Sequence, residues 1–192
     1  MAEPAPGVGV RVVFLTGQSD PGSCALSPVQ AAFLAVLPLT DAERGPLNFP
    51  YRAGLAPHRP TPLLRASWHN TRLTLAAQRP GFARAHAAPV DAELSLATRT
   101  LVLAGSCGLE LLRALDLPAA TLARLHVLAY GPVSRGRPAC AVETVVGRGD
   151  RISLVRPAAA DHVVPCGHLD YLTSPDVLGI AAAALARLRV AP

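Results

Sequence analysis

Thr100-Leu101-Val102-Leu103-Ala104-Gly105-Ser106-Cys107-Gly108 is the stretch on which the fold turns. Residues 100–104 form a run of apolar and β-branched types without polar alternation, the pattern of a strand covered on both faces. Gly105 to Gly108 is a tight turn, and Leu109 to Leu115 reads as a short helix stopped by Pro118. The same order of strand, turn and helix stands upstream. Val10 to Thr16 is a β-favouring run that ends in the turn formers Gly17 to Ser23. A helix then opens at Ser27, with Pro28 in its first position and Gln30 placed to complete a capping box, and runs to Leu37.

Downstream the pattern repeats with shorter pieces. Leu125 to Tyr130 is a strand closed by Gly131-Pro132, and Ala141 to Val146 is a strand closed by Gly147-Arg148-Gly149-Asp150. Val163-Val164 is a last short strand before Pro165-Cys166-Gly167-His168. The chain closes with a helix capped by Ser174, begun by Pro175 and carrying the stripe Leu178, Ala181, Ala182, Leu185 and Leu188. Residues 38–97 are harder to read. Leu47 to Arg52 is taken as a short edge strand because of Pro50. Leu63 to Gln78 is taken as a helix with Leu64, Trp68 and Leu75 as core residues, and Asp91 to Ala97 as one further helical turn. Buried strands alternating with helices predict an α/β domain with a mostly parallel sheet, residues 1–192 forming a single unit.

Composition agrees with that class and excludes others. Of 192 residues 51% are apolar and 16% charged, enough to bury a core and unlike a disordered chain. All 18 basic residues are Arg, so neither Schiff-base nor Lys general-base chemistry is available. The formal charge of +5 suits an anionic partner such as an acyl carrier or a phosphorylated thioester. The arginines stand singly and without interleaved aromatics, which argues against nucleic acid. No apolar run is long enough to span a bilayer and residues 1–7 lack the features of a leader, so a soluble, cytoplasmic protein without a membrane partner is expected. Cys24, Cys107, Cys140 and Cys166 match no zinc spacing and are expected as free thiols; no metal or cofactor is implied.

The turn at 104–108 also carries chemistry. A strand-to-helix turn that presents a nucleophile needs small residues two before and two after it, because those positions press on neighbouring backbone. Ala104 and Gly108 satisfy this for Ser106, whereas for Cys107 the flank would be Leu109, which is too large. A serine hydroxyl needs a general base, and the base needs a group that orients it. Asp150 and His168 are the next carboxylate and imidazole at strand ends, and a parallel sheet would gather all three at its carboxyl edge. Asp170 is a reserve acid. The remaining histidines, 58, 69, 86, 126 and 162, have no comparable context.

The segments Ala104–Gly108, Gly147–Ser153 and Gly167–Leu172 together resemble, in that order, the three motifs of a small α/β-hydrolase, over residues 10–37 and 98–190. The resemblance implies a reduced sheet of about six strands with helices on both faces. It makes Ser106 the nucleophile, His168 the base and Asp150 the orienting carboxylate, and puts the oxyanion donors at the N–H groups of Cys107 and Gln18. Ala104 stands where the family has Gly, Thr16-Gly17 replaces its His-Gly, and its first two strands are missing. The expected activity is hydrolysis of a small-molecule ester or thioester, the acyl group free or carrier-bound. A non-catalytic binding role, an acyltransferase and a lyase are the alternatives. The short connection between Tyr130 and Ala141 leaves no room for a lid; as a hairpin it would carry Asp150 to the opposite edge of the sheet.

Overall fold

The computed structural model describes residues 8–52 and 56–190; residues 1–7, read above for a leader, lie outside them. Five strands, β1 (Val8–Phe14), β2 (Ala97–Gly105), β3 (Leu125–Tyr130), β4 (Ala141–Gly147) and β5 (His162–Val164), lie side by side in chain order. Every neighbouring pair is parallel. The 131–140 connection therefore carries the chain back across the sheet, without a helix, to the end where β4 starts, and is not a hairpin. All five strands deliver their following loops to one rim.

A parallel sheet must be covered on both faces, and alternate residues of its strands divide between two apolar layers. Val13, Val102, Val127 and Ala129 pack with Val90 and Leu94 of α3 (Phe82–Leu94) and Leu109 and Leu112 of α4 (Gly108–Ala114). Val12, Phe14, Leu101, Leu103, Leu128 and Val145 face the other way. They pack with Phe33 and Leu34 of α1 (Pro28–Val36) and with Val177, Ala181 and Leu185 of α6 (Pro175–Val190). The other two helices are α2 (Leu63–Ala77) and α5 (Ala119–Leu122). The capping box of α1 forms as its sequence predicts: Ser27 Oγ accepts from the Gln30 N–H at 3.3 Å and Gln30 Oε1 accepts from the Ser27 N–H at 2.9 Å.

Three expectations need correction. The sheet has five strands rather than about six, because Leu47 to Arg52 is not a strand. It makes one antiparallel bridge, Leu47 with Ala25, and then turns back, the Tyr51 N–H bonding to the Asn48 carbonyl; Pro50 has no N–H to give a ladder. What lies along the free edge of β1 is residues 43–45, through Val12 N–H to Glu43 O and Gly45 N–H to Val12 O, both 2.8 Å. The single helical turn expected at Asp91–Ala97 is instead the end of α3, whose first turns were hidden by Pro89 and a run of Ala. Finally, Leu64, Trp68 and Leu75 do share a face of α2, but it is the solvent face, with exposures of 88%, 60% and 52%. Spacing decides which residues of a helix lie together and not which side meets the core. In α6 likewise the buried centre is Val177, Ala181, Ala184 and Leu185, with Leu178, Ala182 and Leu188 at its margin.

Candidate active site

Ser106 sits at the junction of β2 and α4 with φ +53°, in the left-handed region that a non-glycine residue enters at a cost. Its backbone is clamped from both sides: Ser106 N–H donates to Tyr130 O at 3.1 Å, and Val133 N–H donates to Ser106 O at 2.8 Å. The small neighbours are dictated by close approach. A Cβ on Gly108 would overlap the carbonyl oxygen of Leu15 at the end of β1, and one on Gly105 would meet the Tyr130 ring at 2.5 Å. The turn can be this sharp only because those positions lack side chains.

His168 and Asp150 arrive from the loops after β5 and β4. His168 Nε2 lies 3.3 Å from Ser106 Oγ, and His168 Nδ1 lies 2.9 Å from Asp150 Oδ2. The side chain of Asp150 is fully buried and that of His168 is 14% exposed. Burial pushes the Asp150 carboxyl up, but it is outweighed by donors from Tyr171, His168 and the N–H groups of Ile152 and Ser153, which hold the acid below its ordinary value. Asp150 Oδ1 takes the two backbone donors, at 2.7 and 3.0 Å, and Oδ2 takes the Tyr171 hydroxyl at 2.7 Å. Asp170, the reserve acid, accepts from the Gly167 N–H and shapes the turn before His168 instead.

Tyr171 was not singled out from the sequence. Its hydroxyl accepts from Gly147 N–H at 2.7 Å while donating to Asp150, so it ties the end of β4 to the buried acid. Its ring stands edge-on to His168 and beside Tyr130, so closely that a Cβ on Gly131 would meet both Tyr171 and Asp150. The signal was there: a tyrosine three residues after the histidine is carried back by a single 3₁₀ turn, Tyr171–Thr173.

The loop after β1 is shaped by the stretch that resisted reading. Asn48 Oδ1 accepts from Thr16 N–H at 2.9 Å and Asn48 Nδ2 donates to Thr16 Oγ1 at 2.7 Å, while Gln30 Nε2 reaches the same hydroxyl at 3.3 Å. The Tyr51 hydroxyl donates to Phe14 O at 2.7 Å. Gln18 turns its side chain inward to Ser23 O, at 3.2 Å, and to buried Cys24. Neither the Gln18 N–H nor the Cys107 N–H donates to another group among the described residues. Gly17 has no room for a Cβ, since the Asn70 amide and Cys107 Sγ would both overlap it.

Ser106, Cys107, His168 and Gln18 line one cavity of about 730 Å³, together with Asn70, Arg135 and His58 among others. Asp150 stands behind His168. The Cys107 thiol is pushed up by burial, against a hydrogen bond with Thr74, so it stays protonated and unreactive. All four cysteines are free, as expected. Among the described residues no three His, Cys, Asp or Glu side chains are arranged to hold a metal ion, and no helix is long and apolar enough to cross a membrane. No known protein family matches the chain, and no curated protein does.

What the site offers is a partly exposed hydroxyl on a strained turn and an imidazole with one nitrogen toward that hydroxyl. The other nitrogen is on a buried, ionised carboxylate, and Gln18 and Cys107, whose N–H groups donate to no other residue among the described ones, line the same cavity. Elsewhere His126 and His162 both bond to Glu143 and His69 meets Arg65, while His86 packs against Phe49 and Phe82 with its buried Nδ1 unpartnered.

Proposed function

We propose that the chain is a serine hydrolase on a reduced α/β-hydrolase scaffold, cleaving a carboxylic ester or thioester through an acyl-enzyme. The observation that carries this reading is the chain of contacts from Ser106 Oγ through both nitrogens of His168 to Asp150. In the first step Ser106 Oγ attacks the carbonyl carbon and its proton passes to His168 Nε2, while Asp150 stabilises the imidazolium through Nδ1. The negative oxygen of the tetrahedral intermediate meets the N–H groups of Cys107 and Gln18, each donor contributing about 10²–10³ in rate. Collapse breaks the bond to the alcohol or thiol, which leaves with the proton from Nε2. Water, deprotonated by the same nitrogen, then releases the acid and restores Ser106. Ser106 and His168 are both open to the cavity, so water reaches the acyl-enzyme.

A fluorophosphonate probe tests the reading. The folded protein should form one adduct, on Ser106, and Ser106→Ala should form none. Turnover of p-nitrophenyl acetate should fall to a similar floor in Ser106→Ala and His168→Ala, because the members of such a set act as a unit. A folded protein that takes no probe, or a Ser106→Ala variant with full activity, would remove the assignment.

A further inference from the structure

Residues 45–90 hold six of the arginines and no acidic residue, whereas in the rest of the chain acidic residues slightly outnumber arginines. The whole positive excess of the protein therefore belongs to one segment, and α2 lies at its centre. Of the fifteen residues of α2 only Ala77 is buried. Its outward face carries the exposed Leu64, Trp68 and Leu75, with Leu63 at its start. Arg59, Arg65, Arg72 and Arg79 are exposed along the same segment, and none of them is in an ion pair among the described residues.

This face is continuous with the site. Leu63 and Leu75 of α2 line the cavity that holds Ser106, and so do Ile152 and Leu154 from the loop after Asp150 and Leu169 beside His168. These too are exposed, at 56%, 58% and 69% for Ile152, Leu154 and Leu169. Large apolar side chains from three separate segments thus surround one opening. An exposed apolar patch on this scale marks an interaction surface. A helix with Leu and Trp on its outer face, flanked by Arg and free of acids, has the composition of one that lies in a bilayer interface, where Trp is favoured and anionic headgroups attract the guanidinium groups. An acidic protein would satisfy the arginines. A fluid apolar phase also covers side chains that converge from unconnected segments.

We propose that the α2 face and the rim of the cavity dock on an anionic phospholipid bilayer, and that the substrate's acyl chain enters the cavity from that surface. The second half rests on the hydrolase reading; the docking does not. It also replaces the expectation that the protein has no membrane partner, which rested on the absence of a spanning segment and not on surface chemistry.

Trp68 is the only tryptophan in the chain, so its emission reports on this face alone. The experiment uses full-length Ser106→Ala protein, which binds without turnover, with vesicles of phosphatidylcholine alone or mixed with phosphatidylserine. The expected result is a blue shift and saturable co-sedimentation with the mixed vesicles, little of either with phosphatidylcholine alone, and weakening with salt. Each arginine near an anionic surface contributes about fivefold in partitioning, so Arg65→Gln with Arg72→Gln should weaken binding about 25-fold. In the Ser106-containing protein, Leu64→Ser and the double arginine variant should keep wild-type turnover of a water-soluble short ester. No shift with phosphatidylserine vesicles, or equal binding by the double arginine variant, overturns the proposal. A shift produced only by a soluble acidic carrier protein also overturns it, assigning the face to a protein partner. Intact vesicle binding by a protein that takes no fluorophosphonate would sink the hydrolase reading and leave the docking standing.

Discussion

Replacing Tyr171 by Phe removes one oxygen atom from the point where the buried acid is tied to the sheet. That hydroxyl donates to Asp150 Oδ2 and accepts from Gly147 N–H, both at 2.7 Å, and the residue is 2% exposed, so solvent does not fill the gap. A hydrogen bond to a charged partner contributes about 1.5–3 kcal/mol, and a buried N–H left without an acceptor costs about 1–3 kcal/mol. The two losses share an atom and do not add in full, so unfolding free energy should fall by about 2–4 kcal/mol. The ring keeps its packing against Tyr130. Catalysis should lose less. Asp150 retains His168 and two backbone donors, and its charge is present before and during the reaction. A loss of about tenfold in kcat, or about 1.4 kcal/mol, is expected. The pH profile gives the sharper readout. The Tyr171 donor helps hold the Asp150 carboxyl below its ordinary 3.8, so its stabilisation is present above that value and is lost as pH falls through the lower folded pKa. Without the donor the folded pKa rises, and the acid loss of stability moves to higher pH. Urea unfolding across the acid range, with p-nitrophenyl acetate turnover near neutral pH, tests this. Wild-type stability together with an unmoved acid unfolding transition would refute the idea that Tyr171 supports the acid.

Other perturbations follow from the same geometry. Gly108→Ala sets a Cβ against the backbone carbonyl oxygen of Leu15, which no rotamer change relieves, so it should lower stability by more than about 3 kcal/mol or prevent folding; urea unfolding close to wild type would contradict the turn geometry. By contrast, a Cβ on Gly179 meets nothing within 4 Å in the middle of α6, and Gly179→Ala should raise stability by about 0.5–1 kcal/mol in the same assay. Asn48→Ala removes the two bonds that Asn48 makes to Thr16 and leaves only that from Gln30, and should cost about 2–3 kcal/mol while reducing turnover; unchanged kinetics would mean that the loop after β1 needs no such support. Glu110 is held down to about 2 by Arg113 first, against burial, with help from the Arg135 N–H and Ser134. Its stabilisation is present above the ordinary value of 4.5 and is lost as pH falls toward 2. The stability difference between wild type and Glu110→Gln should therefore shrink over that interval, and a difference independent of pH would dispose of the ionised carboxylate as its source.

How much of this was legible beforehand varied with the range of the interaction that encodes it. The capping box of α1, the turns at Gly105–Gly108 and Gly147–Asp150 and the apolar runs of β2 and β3 are written in residues a few places apart, and each forms where its local chemistry says. Ser106, His168 and Asp150 were legible as a set because each closes a strand of a parallel sheet, and such a sheet brings all its strand ends to one rim. Their approach to within hydrogen-bonding distance was decided by the tertiary structure. So were the partnership of Asn48 with Thr16, the hydroxyl bridge from Tyr171 to Asp150, and the outward turn of Trp68. Local codes act through torsion preferences and neighbouring donors, which the chain carries wherever it goes. Contacts between distant segments, and the side of a helix that meets the core, depend on the space left when the layers pack, and no window of neighbouring residues contains that information.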